Sequence, residues 1–223
     1  MLPRTVKAGF YFVAGPLMKA NGALHRSLRT PRAGVIRAHL GPGQKNYLPQ
    51  WVNVDANMFT ARCDVWADLR NKLPFRDGSV DAFYSHHVVE HLPNMERHFA
   101  DMFRCLKPGG VIRIGGPNGD VAVRKFLEGD HSWFGDFPDK RSSIGGRLDN
   151  FLLCRGEHVA LLTLSYLQEI ATRVGFRDIE PRQVCTETAY PDRFDPAVLA
   201  LEEEQTPEAA HTLIIEARKP LDA

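Results

Sequence analysis

The sequence predicts an α/β fold, one sheet with packed helices, and three observations carry the prediction. Apolar runs of strand length recur at "VIRAHL", "WVNVD", "CDVWADL", "VDAFYS" and "VIRIGG", separated by turn residues or by segments with helical spacing. One such helix, in "NMERHFADMFRCLKPGG", leads straight into the next strand and so makes a βαβ unit. A glycine turn, Gly41-Pro42-Gly43, follows the first strand, and an acid, Asp55, ends the second. With 223 residues and 43% hydrophobic content the chain can bury one core of ordinary size and is short for two.

The first element is a basic arm, residues 1–34. Residues 1–37 carry Arg4, Lys7, Lys19, Arg26, Arg29, Arg32 and Arg37 and no acid, while the whole chain has a formal charge of only +1, so the remainder is net acidic. The arm is expected to form a helix that covers a pocket, with weak contact to a membrane surface as the alternative. Its apolar part, "AGFYFVAGPLM", is too short to span a bilayer although it resembles the middle of a signal peptide. Cys63, Cys105, Cys154 and Cys185 show no paired spacing, which, with the cofactor-type body, predicts a reduced, cytoplasmic protein, peripheral at the inner membrane surface if the arm binds lipid.

The body follows, residues 35–218. In its clearest helix Met95, Phe99, Met102, Phe103 and Leu106 share a face, and Pro108-Gly109-Gly110 is expected to stop it. A second helix is expected over Leu164–Val174, with Ser165 and Gln168 in capping-box spacing and Gly175 as its stop. "FRDIEPRQV" and "HTLIIEAR" read as strands. Between them lies an insert, 185–210, in which Asp195 and Pro196 open "PAVLALEEE", expected to be a surface helix because its end is acidic. Another insert, 119–158, is less regular, mixing Trp133, Phe134, Phe137 and Phe151 with Lys140, Arg141, Arg147 and Arg155. Such inserts serve as lids or binding loops, and its aromatics either stack on sugar faces or form a small core.

A glycine turn after a first strand lets a ligand approach the backbone, and an acid ending the second can accept hydrogen bonds from ribose. A dinucleotide site needs GxGxxG running into a full helix, but Asn46 stands where the third glycine belongs. Only Gln44–Gln50 separate Gly43 from the next strand. A cofactor with ribose and no pyrophosphate fits better.

These residues resemble the class I S-adenosylmethionine-dependent methyltransferases, in particular their type 11 domains. The resemblance runs from Val35 to Gly116 and returns at "LQEIATRVGFRDI". It implies a Rossmann-like, mostly parallel seven-stranded sheet with helices on both faces and an antiparallel last strand, and S-adenosyl-L-methionine as cofactor. "LGPG", Leu40 to Gly43, is similar to the motif beneath the methionine part, with Pro42 where the family more often has cysteine or another small residue. Asp55, with Ala56 after it, is similar to the ribose acid, and Asp68-Leu69 to the pair flanking adenine. "SVDAFYSHHVVEHL" resembles the fourth strand and the loop facing the reacting centre, which places Ser85 and His86 at the cofactor. "FRCLKPGGVIRI" resembles the family's helix-to-strand passage.

His86, His87, Glu90 and His91 crowd that loop. On a helix His87, Glu90 and His91 would share one face. The stretch matches H-x-x-E-H, the pattern of a zinc hydrolase, though Pro93 follows almost at once. It also resembles the Glu-x-x-Glu-His run of metal-assisted methyltransferases, with His87 replacing the first glutamate and His158 as a distant ligand. A set of His87, Glu90, His91 and His158 would favour zinc, iron or manganese over magnesium. In the third reading Glu90 holds the loop and His91 packs beneath the cofactor. As a general base for an alcohol acceptor His87 comes first, then His91 and His158. The resemblance implies a small-molecule or glycan acceptor, with O-methylation of a sugar or surface-polysaccharide precursor favoured. Basic residues are not interleaved with aromatics over an extended strip outside the insert, so no nucleic-acid partner is expected. A reading of a different class is a non-catalytic partner subunit that keeps the fold.

Overall fold

The computed structural model describes residues 4–31, 34–57, 59–204 and 207–223. Residues 1–3, Arg32 and Ala33 of the arm, Met58, and residues 205–206 of the second insert lie outside the described residues. Seven strands form one sheet: β1 (Arg37–Leu40), β2 (Val52–Asp55), β3 (Val65–Trp66), β4 (Val80–His86), β5 (Leu106–Pro117), β6 (Arg177–Arg182) and β7 (Thr212–Arg218). Their order is β3-β2-β1-β4-β5-β7-β6. Strands β1 to β5 pair in parallel, and β7 runs antiparallel between β5 and β6, as the resemblance implied. The chain moves outward from β1 to β3 and then returns to β4 on the other side of β1. Such a switch opens a crevice beyond the carboxyl ends of β1 and β4.

β4 explains the two-sided burial. Ala82, Phe83, Tyr84 and Ser85 are all buried, so alternate side chains feed two cores. Phe83 joins Leu40, Phe99, Met102, Leu167, Ile170 and Phe176 on one side. That side is covered by α2 (Met95–Cys105) and α5 (Leu164–Val174). Tyr84 joins Leu48, Trp51, Phe194 and Val198 on the other, where a loop and the second insert replace full-length helices.

The helix ends correct two expectations. α2 starts at Asn94, whose side chain accepts from Arg97 N at 2.9 Å, and it stops at Leu106 rather than at Pro108. Pro108-Gly109-Gly110 lies inside β5, with Gly109 at φ +76°. Thr163, not Ser165, caps α5, accepting from Tyr166 N at 3.3 Å, and Gly175 at φ +112° closes it. A left-handed backbone favours glycine there.

The first insert is more regular than expected. It contains α3 (Gly119–Leu127) and α4 (Ile144–Leu153). Trp133, Phe134 and Phe151 pack ring against ring between them, so the small-core alternative holds for these three. Phe137 is 74% exposed.

The second insert corrects the expected surface helix. α6 is only Pro196–Leu199, opened by Asp195, which accepts from Ala197 N and Val198 N. Val198 and Leu199 are buried, and so is Glu202 in the 3-10 turn that follows. Arg113, a fully buried side chain on β5, holds Glu202 through Nε and Nη2 at 2.7 and 2.9 Å. Its Nη1 donates to Glu216 Oε1 at 2.7 Å and to the Glu187 carbonyl at 2.9 Å. Glu216 sits opposite Arg113 in the β5–β7 register. An isolated charge would be very costly here, which is why acids in a sequence tail turn inward.

Burial makes three histidines poor bases: His39 and His98 are pushed down to about 4, and His86 lies well below the ordinary value. The unfolded chain binds protons at His39 and His98 near pH 6.5 whereas the folded chain resists until near pH 4, so their contribution to stability is complete above about pH 6.5 and is lost as the medium acidifies toward pH 4; His86 acts in the same direction. Urea unfolding should therefore show a lower midpoint at pH 5 than at pH 7. An unchanged midpoint would mean that these imidazoles accept protons within the fold.

Candidate functional site

The crevice at the switch point is where the predicted cofactor residues meet. Leu40, fully buried, ends β1, and Gly41 turns at φ +73° with its N–H on the Val54 carbonyl at 2.9 Å. A Cβ on Gly41 would lie 2.3 Å from Val88 Cγ2, so Val88 of the loop after β4, not open space, abuts this glycine. Pro42 leads to Gly43, also left-handed at φ +58°, whose N–H donates to Asp55 Oδ2 at 3.0 Å. Asp55 Oδ1 accepts from Asn57 N at 2.8 Å. Asp55 thus ties the glycine turn to the end of β2, and each oxygen retains acceptor capacity. The Ala56 carbonyl accepts from Trp66 Nε1 at 2.8 Å.

Asp68 and Leu69 lie just past β3, both mostly buried. Arg70 holds Asp68 Oδ2 through Nη2 at 2.7 Å and Oδ1 through Nε at 2.9 Å, and its guanidinium lies 3.6 Å from the centre of the Tyr11 ring. Tyr11 belongs to α1 (Arg4–Leu24), the helix expected in the arm, which continues through one wider turn, His25–Arg29. Asn21 Nδ2 donates to the Trp66 carbonyl at 2.8 Å, Phe10 meets Phe59 edge to face, and Lys7 pairs with Glu157 at 2.6 Å. The arm lies across the β3 side of the crevice. Burial raises the Tyr11 phenol, opposed by the Arg70 charge.

The loop after β4 holds the histidines. Ser85 and His86 end the strand, and the Ser85 hydroxyl and His86 Nε2 have no hydrogen-bond partner among the described residues. His87 has φ +54°, a conformation that non-glycine residues rarely adopt and that recurs at functional sites. Val89–His91 is a 3-10 turn, so the helix face imagined for His87, Glu90 and His91 does not form. His87 Nδ1 instead meets Glu90 Oε1 at 3.2 Å, and its Nε2 meets Thr212 Oγ1 at 3.2 Å. Glu90 is fully buried. The cluster of ligand-type atoms is Glu90, His91 and His158, without His87, which corrects the four-residue set and removes the helical geometry of the hydrolase pattern. His158, brought in by the first insert, has its pKa lowered by burial, opposed by Glu90.

A cavity of about 860 Å³ opens beside His86 and His87, walled by Asn46, Lys125, Asp130 and Trp133, and by Glu202–Glu204, His211 and Thr212 from the second insert and β7. His91 and His158 do not line it. Several of these groups escaped the sequence: Thr212, Tyr11, Arg70 and Val88. Thr212 stands 125 positions from His87, and only the antiparallel pairing of β7 with β5 brings them together.

Residues 22–114 match the family described as a methyltransferase domain, a span that holds Gly41, Asp55, Asp68, His87 and Glu90 but not His158 or Thr212. A probable S-adenosylmethionine-dependent methyltransferase of Mycolicibacterium smegmatis is 40% identical over 47 residues, 21% of this chain and 18% of its own. A sterol 4-C-methyltransferase of Caenorhabditis elegans is 33% identical over 60 residues, 26% of this chain and 18% of its own. The chain therefore matches less than a fifth of the length of these curated relatives. A crystal structure of a SAM-dependent methyltransferase from Archaeoglobus fulgidus superimposes with a TM-score of 0.54 at 16% identity, covering 94% of this chain and 99% of that one. Sheet order and the likeness to solved structures agree: the chain has the fold of the class I S-adenosylmethionine-dependent methyltransferases, and residues 22–114, less than half of it, match the methyltransferase-domain family.

Proposed function

We propose that this chain transfers the methyl group of S-adenosylmethionine to a hydroxyl of a polar small molecule or glycan, a sugar or surface-polysaccharide precursor fitting best. The observation that carries the reading is His87: of the three candidate bases, it alone lines the cavity beside the switch point. Most residues lining the cavity carry polar or charged side chains, while polar and apolar atoms share its surface equally, so a hydroxylated acceptor would find both hydrogen-bond partners and apolar contact there. The cofactor would lie along Leu40–Gly43, with its ribose at Asp55, Ala56 beside it, its adenine near Asp68 and Leu69, and Ser85 and His86 below the methionine part.

Methyl transfer is an in-line displacement in which the C–O bond forms as the carbon–sulfur bond breaks and sulfur keeps the electron pair. Holding the acceptor close and aligned supplies most of the acceleration. The hydroxyl proton must leave, and His87 is placed to take it. Because the Glu90 carboxylate can only accept, the Nδ1–H of neutral His87 points at Glu90 and the lone pair sits on Nε2, now facing the Thr212 hydroxyl. Glu90 then orients the base and stabilises its protonated form. A reduced, cytoplasmic setting suits this chemistry.

Three experiments test the reading. Calorimetry with S-adenosylmethionine should show binding that Gly41→Val abolishes, through strain at φ +73° and collision with Val88. Asp55→Ala should weaken it by roughly 1.5–3 kcal/mol for each charge-assisted hydrogen bond lost. Parent-like affinity in both variants would place the cofactor elsewhere.

The arm has two faces with separate expectations. Tyr11→Ala should weaken cofactor binding, since Tyr11 backs Arg70 and so Asp68. On the outer face Phe12, Val13, Leu17 and Leu28 are exposed, with Lys19 and Arg29 also exposed on the arm, which suits peripheral contact with an anionic membrane. No helix among the described residues is long and apolar enough to cross a membrane. The full chain should sediment with anionic vesicles and Leu17→Glu with Leu28→Glu should not; equal sedimentation of the two would rule out this face.

A screen of polyhydroxylated acceptors for formation of S-adenosylhomocysteine should find turnover that His87→Ala lowers by roughly 10²- to 10⁴-fold while cofactor affinity stays nearly constant. Cofactor binding without turnover on any acceptor would favour the non-catalytic partner reading, and full activity in His87→Ala would exclude it as the base.

A further inference from the structure

We infer that Glu90, His91 and His158 form a site for one divalent transition-metal ion of the zinc class, separate from the cavity-facing nitrogen of His87. One ligand-type atom from each of the three lies within 4.8 Å of the other two. Proximity alone would mean little, because carboxylates and imidazoles often cluster as ion pairs. The hydrogen bonds around the cluster say more.

His91 Nδ1 lies 3.0 Å from the Glu157 carbonyl, and His158 Nδ1 lies 3.0 Å from the Leu152 carbonyl. A carbonyl only accepts, so each Nδ1 carries the hydrogen and donates, and in the neutral ring the lone pair is on Nε2. Both rings are therefore tethered in the tautomer that a metal-bound imidazole takes, with the far nitrogen donating to a backbone oxygen. The third member is independent evidence. Glu90 Oε2 is buried with no hydrogen-bond partner among the described residues, on a side chain only 1% exposed. Oε1 is engaged by His87 Nδ1 at 3.2 Å and lies 3.8 Å from His91 Nε2. A buried carboxylate with an orphaned oxygen is costly, and a cation there would remove the cost.

The backbone fixes the three relative to one another. Val159 N donates to the Glu90 carbonyl at 2.8 Å, which joins the segment after His158 to the turn that carries Glu90 and His91. Ligand atoms about 2.0–2.2 Å from one tetrahedral ion lie about 3.3–3.6 Å apart; the 3.8 Å between His91 Nε2 and Glu90 Oε1 is already close to that, and the widest separation in the cluster, at most 4.8 Å, would close by about 1 Å on loading. His91 remains accessible, with 40% of its side chain exposed, so an ion can enter from solvent. Two imidazoles and one carboxylate suit zinc, cobalt, iron(II) or manganese, whereas magnesium prefers oxygen ligands. Three protein ligands leave a position open for water or another oxygen ligand.

The test needs neither cofactor nor acceptor, so its outcome is independent of the methyl-transfer reading. The tag-free full chain, freed of metal by dialysis against a chelator, is titrated near neutral pH with zinc and, separately, with magnesium by calorimetry. Cobalt binding is followed by visible absorption. One equivalent of zinc and of cobalt should bind, and magnesium should not compete. His91→Ala and His158→Ala should each weaken zinc by about tenfold or more, whereas His131→Ala, at an exposed imidazole outside the cluster, should not. Glu90→Gln should weaken it as well; because Glu90 is buried its fold is checked by circular dichroism, and the two more accessible histidines decide the matter if it unfolds. Absence of stoichiometric zinc binding, or binding that survives both His91→Ala and His158→Ala, would overturn the inference.

Discussion

The guanidinium of Arg113 organises the half of the molecule that carries β6, β7 and the insert between them. It sits at zero exposure on β5, an interior strand between β4 and β7, and is satisfied by Glu202, Glu216 and the Glu187 carbonyl. Glu216 in turn accepts from Arg182, from Thr188 and from Ala189 N. One buried cation, directly and through Glu216, thus fastens the β7 strand, the end of β6 and both limbs of the insert between them. Without its counter-charges Arg113 could not stay in the sheet, and without Arg113 two carboxylates would lie in the core unpaired, an error that costs several kcal/mol. The wall formed by Glu202–Glu204 and the position of Thr212 opposite His87 both follow from this anchoring.

On the other half, the constraint is strand order. Because the chain leaves β1 in one direction and comes back to β4 in the other, the turns after these strands face each other across a gap with no crossing connection. That places Gly41–Gly43, Asp55 and the histidine loop together although they are far apart in sequence. The arm then adds a third wall, through Tyr11 and Asn21, that owes nothing to the sheet.

Legibility followed the range of the interactions. All seven strands, and helices α2 and α5, were visible because apolar periodicity and terminating residues act within a few positions. The glycine turn and Asp55 were readable for the same reason, and the hydrogen bond from Gly43 to Asp55 spans just 12 residues. Three features were not. Pro108-Gly109-Gly110 looked like a helix stop, yet the helix had already ended at Leu106 and the glycines bend the start of β5. The acids after α6 looked like a solvated face because nothing near them in sequence shows that Arg113, 89 positions away, needs a partner. His87, Glu90 and His91 suggested one helical face, but the backbone at His87 is left-handed and the turn after it is 3-10, which sends His87 to Thr212 and leaves His91 beside His158.

The contact between Gly41 and Val88 carries a consequence for how such a molecule can change. The turn after β1 and the loop after β4 share one small volume, since a methyl of Val88 fills the place where a side chain at position 41 would stand. Neither loop has an independent shape. Altering the residue that backs one alters the room left for the other, so substitutions at the two positions cannot add as separate perturbations. The two loops would have to drift together, whereas the two inserts, 119–158 and 185–210, can be rebuilt without touching that shared volume.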